Sequence, residues 1–224
     1  MISRGISAVI YLLLGKVRFY HRERSGLSGP CVLASNHISH FDPPLISAAA
    51  LRKIDWMAMK DLFRHPAAAI YFNAVDTFPT DRENVDRASV KTALSRLKKG
   101  RMVGMFPEGG LRAGAASVLQ GAPILPGVGA LAQIAGAPIL PCIVLGTDRL
   151  YRRKNWRLFG HTPFWVGFGR LILPPAGMAK AEARAYLERE LVIAFRDLLA
   201  EMRAHFFLAD ADLPKTPKER AAGL

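Results

Sequence analysis

His37 is followed five residues later by Asp42 in the run Asn36-His37-Ile38-Ser39-His40-Phe41-Asp42. An imidazole with a carboxylate in reach is the usual way to build a general base. The carboxylate selects the tautomer and steadies the imidazolium that forms when a hydroxyl gives up its proton. The same residues also fit a plainer arrangement, in which Asp42 caps the helix opened by Pro43 and the histidines are polar loop residues. A metal set of His37, His40 and Asp42 is a third arrangement. No other cluster supplies the remaining ligands, so no metal is expected.

A second run, Phe106-Pro107-Glu108-Gly109-Gly110-Leu111-Arg112-Ala113-Gly114, follows a strand-like segment. Bare backbone N–H groups around Gly109 with Arg112 nearby can cradle an anion, and Glu108 can hold a substrate hydroxyl or orient the arginine. An ordinary turn with a solvated charge pair fits as well. Arg82 in Phe78-Pro79-Thr80-Asp81-Arg82 and Lys60 in Met59-Lys60-Asp61-Leu62-Phe63 are further cations, whether for an anion or for solvent. Pro126 to Ala132 loosely matches the dinucleotide fingerprint, with Asp148 nineteen residues after Gly129, but Pro123 and Pro126 interrupt the strand such a motif requires. The chain has no G-x-S-x-G elbow, no phosphate-binding P-loop, and no cysteine beside a histidine. A base without a nucleophile points to direct attack by a substrate hydroxyl.

These residues need elements to hold them. Apolar runs predict strands over 31–34, 54–59, 101–106, 139–145 and 164–168. Helical signals cover 43–51, 67–72, 83–99 with Gly100 at its C-cap, 127–135, and 179–207. The last of these carries the stripe Leu187, Leu191, Ala194, Leu198, Met202 and Phe206. Alternating strands and helices predict an α/β fold with a mostly parallel sheet flanked by helices. The hexapeptide Gly-Ala-Pro-Ile-Leu-Pro occurs at 121–126 and 136–141, too little for a repeat architecture.

The length of 224 residues suits one core, and 50% hydrophobic with 22% charged residues excludes a disordered tail or a coiled coil. Cys31 and Cys142 cannot form a disulfide framework, which fits a reducing compartment. A net charge of +13 is more than an enzyme of small neutral metabolites needs. It suits nucleic acid, an anionic membrane, or phosphorylated substrates. Gly5 to Gly15 is uncharged, shorter than the roughly 20 residues needed to span a bilayer, and lacks a signal-peptide cleavage site. Lys16, Arg18, Arg22 and Arg24 follow, with Phe19 and Tyr20 among them. Such a helix either packs into the core or lies in the headgroup layer. Acid-free basic stretches at 87–107 and 149–170, the latter with Tyr151, Trp156, Phe159, Phe164 and Trp165, favour the membrane, although they also suit single-stranded nucleic acid. The expected division is a docking segment over 1–28, an α/β domain over 29–210, and a polar tail over 211–224.

Taken in order, Asn-His-x-x-x-x-Asp at 36–42, Lys60-Asp61-Leu62, Phe78-Pro79-Thr80-Asp81-Arg82, Phe106-Pro107-Glu108-Gly109 and Ala137-Pro138-Ile139-Leu140-Pro141 resemble the glycerophospholipid acyltransferases. The type they resemble most is the 1-acylglycerol-3-phosphate acyltransferases, over about residues 30 to 148. The resemblance implies acyl transfer from a thioester, acyl-CoA or acyl carrier protein, to a glycerolipid hydroxyl, with no other cofactor. It implies His37 as base with Asp42 as partner, and Arg82 and Arg112, helped by Lys60, as binders of the acceptor phosphate. Glu108 and Gly109 belong to the same binding loop. The docking segment fits the membrane helix such enzymes carry, on the cytoplasmic face of the cell membrane. In one respect the chain departs from the family: Gly110 and Leu111 precede Arg112, one position later than the usual arginine, which leaves other lysolipid acceptors open. A non-catalytic basic protein that binds membrane or nucleic acid explains the charge but leaves the ordered motifs as coincidence, so no nucleic-acid partner is expected.

Overall fold

The computed structural model describes residues 11, 13–65, 70, 77–80, 87–152, 155–156, 162–216 and 219. Among them a seven-stranded sheet has the order β1-β7-β6-β2-β5-β3-β4. The strands are β1 (Gly15–Tyr20), β2 (Cys31–Ser35), β3 (Ile54–Met59), β4 (Phe78–Thr80), β5 (Met102–Met105), β6 (Ile139–Leu145) and β7 (Thr162–Phe168). The helices are α1 (Asp42–Ala49), α2 (Arg87–Lys98), α3 (Val128–Ala135) and α4 (Lys180–Phe206). Strands β2 to β6 all run parallel, while β7 is antiparallel to β6 and β1 follows β7.

Sequence alternation decides which side each strand residue serves. Val32 and Ala34 of β2 face one apolar cluster with α2, α3 and α4, while Cys31 and Leu33 face the other with α1. Every residue of β2 and of β6 is buried, as expected for parallel strands covered on both faces. Pro141 is tolerated within β6 because its free side faces the neighbour only after β7 has ended. Its carbonyl accepts from the N–H of Gly169 at 2.8 Å, beyond Phe168. α4 presents Leu187, Leu191, Phe195, Leu198 and Met202 to the core, so Phe195 takes the inward place that the stripe assigned to Ala194.

Three sequence expectations meet corrections or limits. Of the docking segment expected over 1–28, residues 1–10 and 12 lie outside the described residues, and the described part is no continuous helix: Gly15–Tyr20 forms edge strand β1 of the sheet and Arg22–Gly26 a short 3-10 turn. Lys16 and Arg18 on that edge discourage pairing with another chain. The expected helix at 67–72 lies outside the described residues apart from residue 70. In the loose dinucleotide pattern Gly129 serves packing: a Cβ there would sit 2.7 Å from the Arg184 carbonyl, so glycine lets α3 approach α4. No described helix is long and apolar enough to cross a membrane.

Candidate active site

Five parallel strands end at one edge of the sheet, and each hands its chain to a loop there. The loop after β2 carries His37, that after β3 carries Lys60, that after β5 carries Glu108 and Arg112, and that after β6 carries Thr147. Ligand sites in open α/β sheets form at this carboxyl edge. β1 and β7 run the other way, so both begin at the same edge, with Gly15 opposite Thr162. Tyr11, just before β1, is buried there and donates from its hydroxyl to the Phe41 carbonyl at 2.6 Å.

His37 and Asp42 meet. Nδ1 of His37 lies 2.8 Å from Oδ2 of Asp42, and that carboxylate is fully buried. A carboxylate only accepts, so Nδ1 carries the proton and Nε2 is left as the basic nitrogen. The Asp42 carboxylate also accepts from the N–H groups of Ile38 and Ser39 at 2.8 and 2.9 Å, and from the Thr147 hydroxyl. Its side chain therefore turns back onto the loop before the helix. α1 starts after Phe41 with no side-chain cap, which removes the plain helix-cap arrangement.

Glu108 is the other buried acid of the site, and the protein itself uses both its oxygens. Oε2 accepts from the His37 N–H at 2.6 Å, while Oε1 accepts from the Ser117 hydroxyl at 2.7 Å and the Val118 N–H at 2.8 Å. Burial pushes its carboxyl above the usual range, and those three donated bonds pull the other way without cancelling the effect. Glu108 thus fastens the backbone of His37 to the loop after β5. The same two loops meet again where the Arg112 N–H donates to the His37 carbonyl at 2.8 Å. Gly109 has φ +67, a left-handed turn that favours glycine, and a Cβ there would also press on the Leu125 side chain.

Arg112, whose backbone N–H reaches His37, is exposed, and Lys60 is exposed just after β3. Arg82 lies outside the described residues, although β4 ends at Thr80 on the same edge. The third histidine arrangement does not form: His40 Nδ1 is 2.6 Å from the Tyr151 hydroxyl. Among the described residues no group of His, Cys, Asp and Glu can hold a metal ion.

Sequence reasoning missed Thr147 and Ser117. Ser117 carries no local signal. Thr147 does carry one, because it lies two residues past the carboxyl end of a fully buried parallel strand. Asn36, quoted only as part of the motif, bridges strands: its amide donates to the Val144 carbonyl at 3.0 Å and accepts from the Val144 N–H at 2.9 Å.

A model of the family described as Acyltransferase matches residues 16–145. Over 128 residues the chain is 33% identical to the 1-acyl-sn-glycerol-3-phosphate acyltransferase of Bacillus subtilis (strain 168), a match covering 53% of this chain and 64% of that relative. The chain thus spans less than two thirds of that relative's length. Its fold is similar to the crystal structure of the 1-acyl-sn-glycerophosphate (LPA) acyltransferase, PlsC, from Thermotoga maritima. The TM-score is 0.66 at 20% identity, over 89% of this chain and 79% of that one.

Proposed function

The chain belongs to the acyltransferase family, and from that premise we propose that it moves a fatty acyl group from a thioester donor to the free hydroxyl of 1-acylglycerol-3-phosphate, giving phosphatidic acid. The observation that carries this reading is the His37–Asp42 pair, with Nδ1 tied to a buried, four-times hydrogen-bonded carboxylate. Nε2 of His37 takes the proton of the acceptor hydroxyl as its oxygen attacks the thioester carbonyl. The carbon–sulfur bond then breaks, and the departing thiolate takes that proton from the imidazolium. Asp42 keeps the tautomer and offsets the charge that forms. The donor is acyl-CoA or acyl carrier protein, and no further cofactor enters the reaction.

Arg112, Lys60 and Arg82 bind the acceptor phosphate in this reading. The late position of Arg112 favours, as a second reading, the same chemistry on another lysolipid. The protein works at the cytoplasmic face of the cell membrane. Two features suit contact with a membrane surface. Tyr11 seats the end of the apolar N-terminal segment beside the His37–Asp42 loop. Met59, Leu62, Leu111, Leu125 and Trp156 are exposed at the ends of strands and in the segments that follow them at the same edge, among cations.

The test is acyl transfer by purified protein in detergent with labelled acyl-CoA, and with acylated carrier protein in parallel, over lysolipids with and without a terminal phosphate. Product from lysophosphatidic acid that disappears with His37→Ala is the expected result. Asp42→Asn should lower kcat by roughly a thousandfold or more while the fold persists. Transfer only to acceptors without a terminal phosphate establishes the second reading, and activity surviving in His37→Ala removes that residue as base.

A further inference from the structure

The faces of the His37 ring are as well defined as its edge. Phe106 stacks on the imidazole with centroids 3.9 Å apart and planes 14° from parallel. Trp56 stacks on Phe106 at 4.8 Å and 8°. Two parallel rings cannot share one face at these distances, so Phe106 is sandwiched, with His37 on one side and the indole on the other. The pile is rooted in the core. Trp56 is 4% exposed, and its indole N–H donates to the Ser47 hydroxyl of α1 at 2.8 Å. β5 makes room for it at Gly104, which pairs with Trp56 and where a Cβ would come within 2.7 Å of the indole. Gly104 and Phe106 are two residues apart and so address the same face of the sheet. Glycine at 104 lets the indole lie flat under the phenylalanine.

We propose that Phe106 is a positioning residue for the acyl transfer, whose ring face stabilises the imidazolium of His37 while Trp56 and Gly104 hold that face parallel to it. The inference rests on His37 acting as base under the proposed function. Its physical content is charge. A neutral imidazole gains only stacking from a parallel phenyl ring. Once the acceptor proton is on Nε2, the same ring presents its negative π-face to a cation well inside the roughly 6 Å within which such attraction operates. The site is nearly closed to water at this point, since the His37 side chain is 13% exposed, and desolvation strengthens the interaction. Asp42 serves the ring's edge and Phe106 its face. The stabilisation grows as the proton arrives, so it acts on the transition state more than on substrate binding.

Ring fluorination separates charge from shape. Phe106 is replaced in the full-length protein by mono-, di-, tri- and pentafluorophenylalanine, and single-turnover transfer is measured with labelled acyl-CoA and lysophosphatidic acid. The expected result is a stepwise fall of the single-turnover rate, about tenfold at the most fluorinated ring. KM for both substrates and the melting temperature should hardly move, because size and packing are nearly kept. Phe106→Leu should fall at least as far, and Phe106→Trp should keep most of the rate. A rate indifferent to fluorine, or one that falls only in step with KM or melting temperature, overturns the proposal and leaves Phe106 as packing. His37→Ala in the same assay keeps the two readings apart. An active wild type with an inactive His37→Ala and a flat fluorine series sinks only the role of Phe106. Transfer surviving in His37→Ala, or no transfer by the wild type with any acceptor, removes the parent reading and this one with it.

Discussion

Glu108 and Asp42 are both buried carboxylates beside one histidine, yet their partners give them different work. Asp42 meets the ring nitrogen, whereas Glu108 meets only the backbone N–H of His37 and the Ser117–Val118 turn. Glu108→Gln keeps the shape but turns an NH2 group toward donors, and should cost about 1–3 kcal/mol of stability. The pH dependence of that difference has a definite sign. Burial raises the Glu108 carboxyl, so the folded protein keeps this proton to a higher pH than the unfolded chain does. Its contribution to stability is therefore undiminished at low pH and falls as pH rises from the ordinary carboxylate range to the raised value. Urea unfolding of the wild type and Glu108→Gln between pH 4 and 8 checks it, and a wild-type advantage that grows with pH would contradict it. Thr147→Val removes the hydroxyl that donates to Asp42 without changing side-chain volume much. It should lower kcat severalfold to tenfold with little change in KM, read by steady-state kinetics.

The elements deliver these side chains by where they end. β2 and β6 lie side by side, and Asn36, one residue past β2, extends their pairing by bonding both backbone groups of Val144. Asn36→Leu leaves a buried N–H and C=O without partners. It should destabilise by about 2–5 kcal/mol in denaturant unfolding, with activity falling as the loop that carries His37 loosens. Most elements were legible in the sequence, because apolar runs and helical stripes are local signals. β6 spans Ile139–Leu145 as expected, and α4 lies within one residue of its expected ends. β1 was not legible: its exposed Lys16 and Arg18 look like the basic flank of a helix, and only pairing with β7 makes them an edge strand. The helix predicted from residue 83 is described from Arg87, and the four residues before it lie outside the description.

On the scale of the whole molecule the surplus charge is not all available to a partner. Arg96 and Arg101 hold the buried Asp55 at 3.3 and 2.6 Å, and Arg149 pairs with Asp212 at 2.9 Å. Arg87, Lys91, Lys98 and Lys99 are exposed along and just after α2. If an anionic bilayer is the partner, sedimentation with phosphatidylglycerol vesicles should exceed that with phosphatidylcholine vesicles and weaken markedly between roughly 50 and 500 mM salt. Equal binding to both vesicle types would remove the charge-led docking. The amino-acid sequence by itself determined the alternation of strands and helices, the ordered motifs that resemble the family, and the spacing of His37 and Asp42, for which it left a general base, a helix cap and a metal set open. Each of these rests on residue types at short spacing, which the chain keeps whatever its tertiary arrangement. Only the tertiary structure decided that Thr147 and Glu108 hold the pair, and that Trp56 and Phe106 stack behind it. Thr147 lies 105 residues from Asp42 and Glu108 lies 71 from His37 in the chain, and they meet through the order of strands in the sheet. Local periodicity carries no record of that order, because every parallel, doubly covered strand reads as the same apolar run.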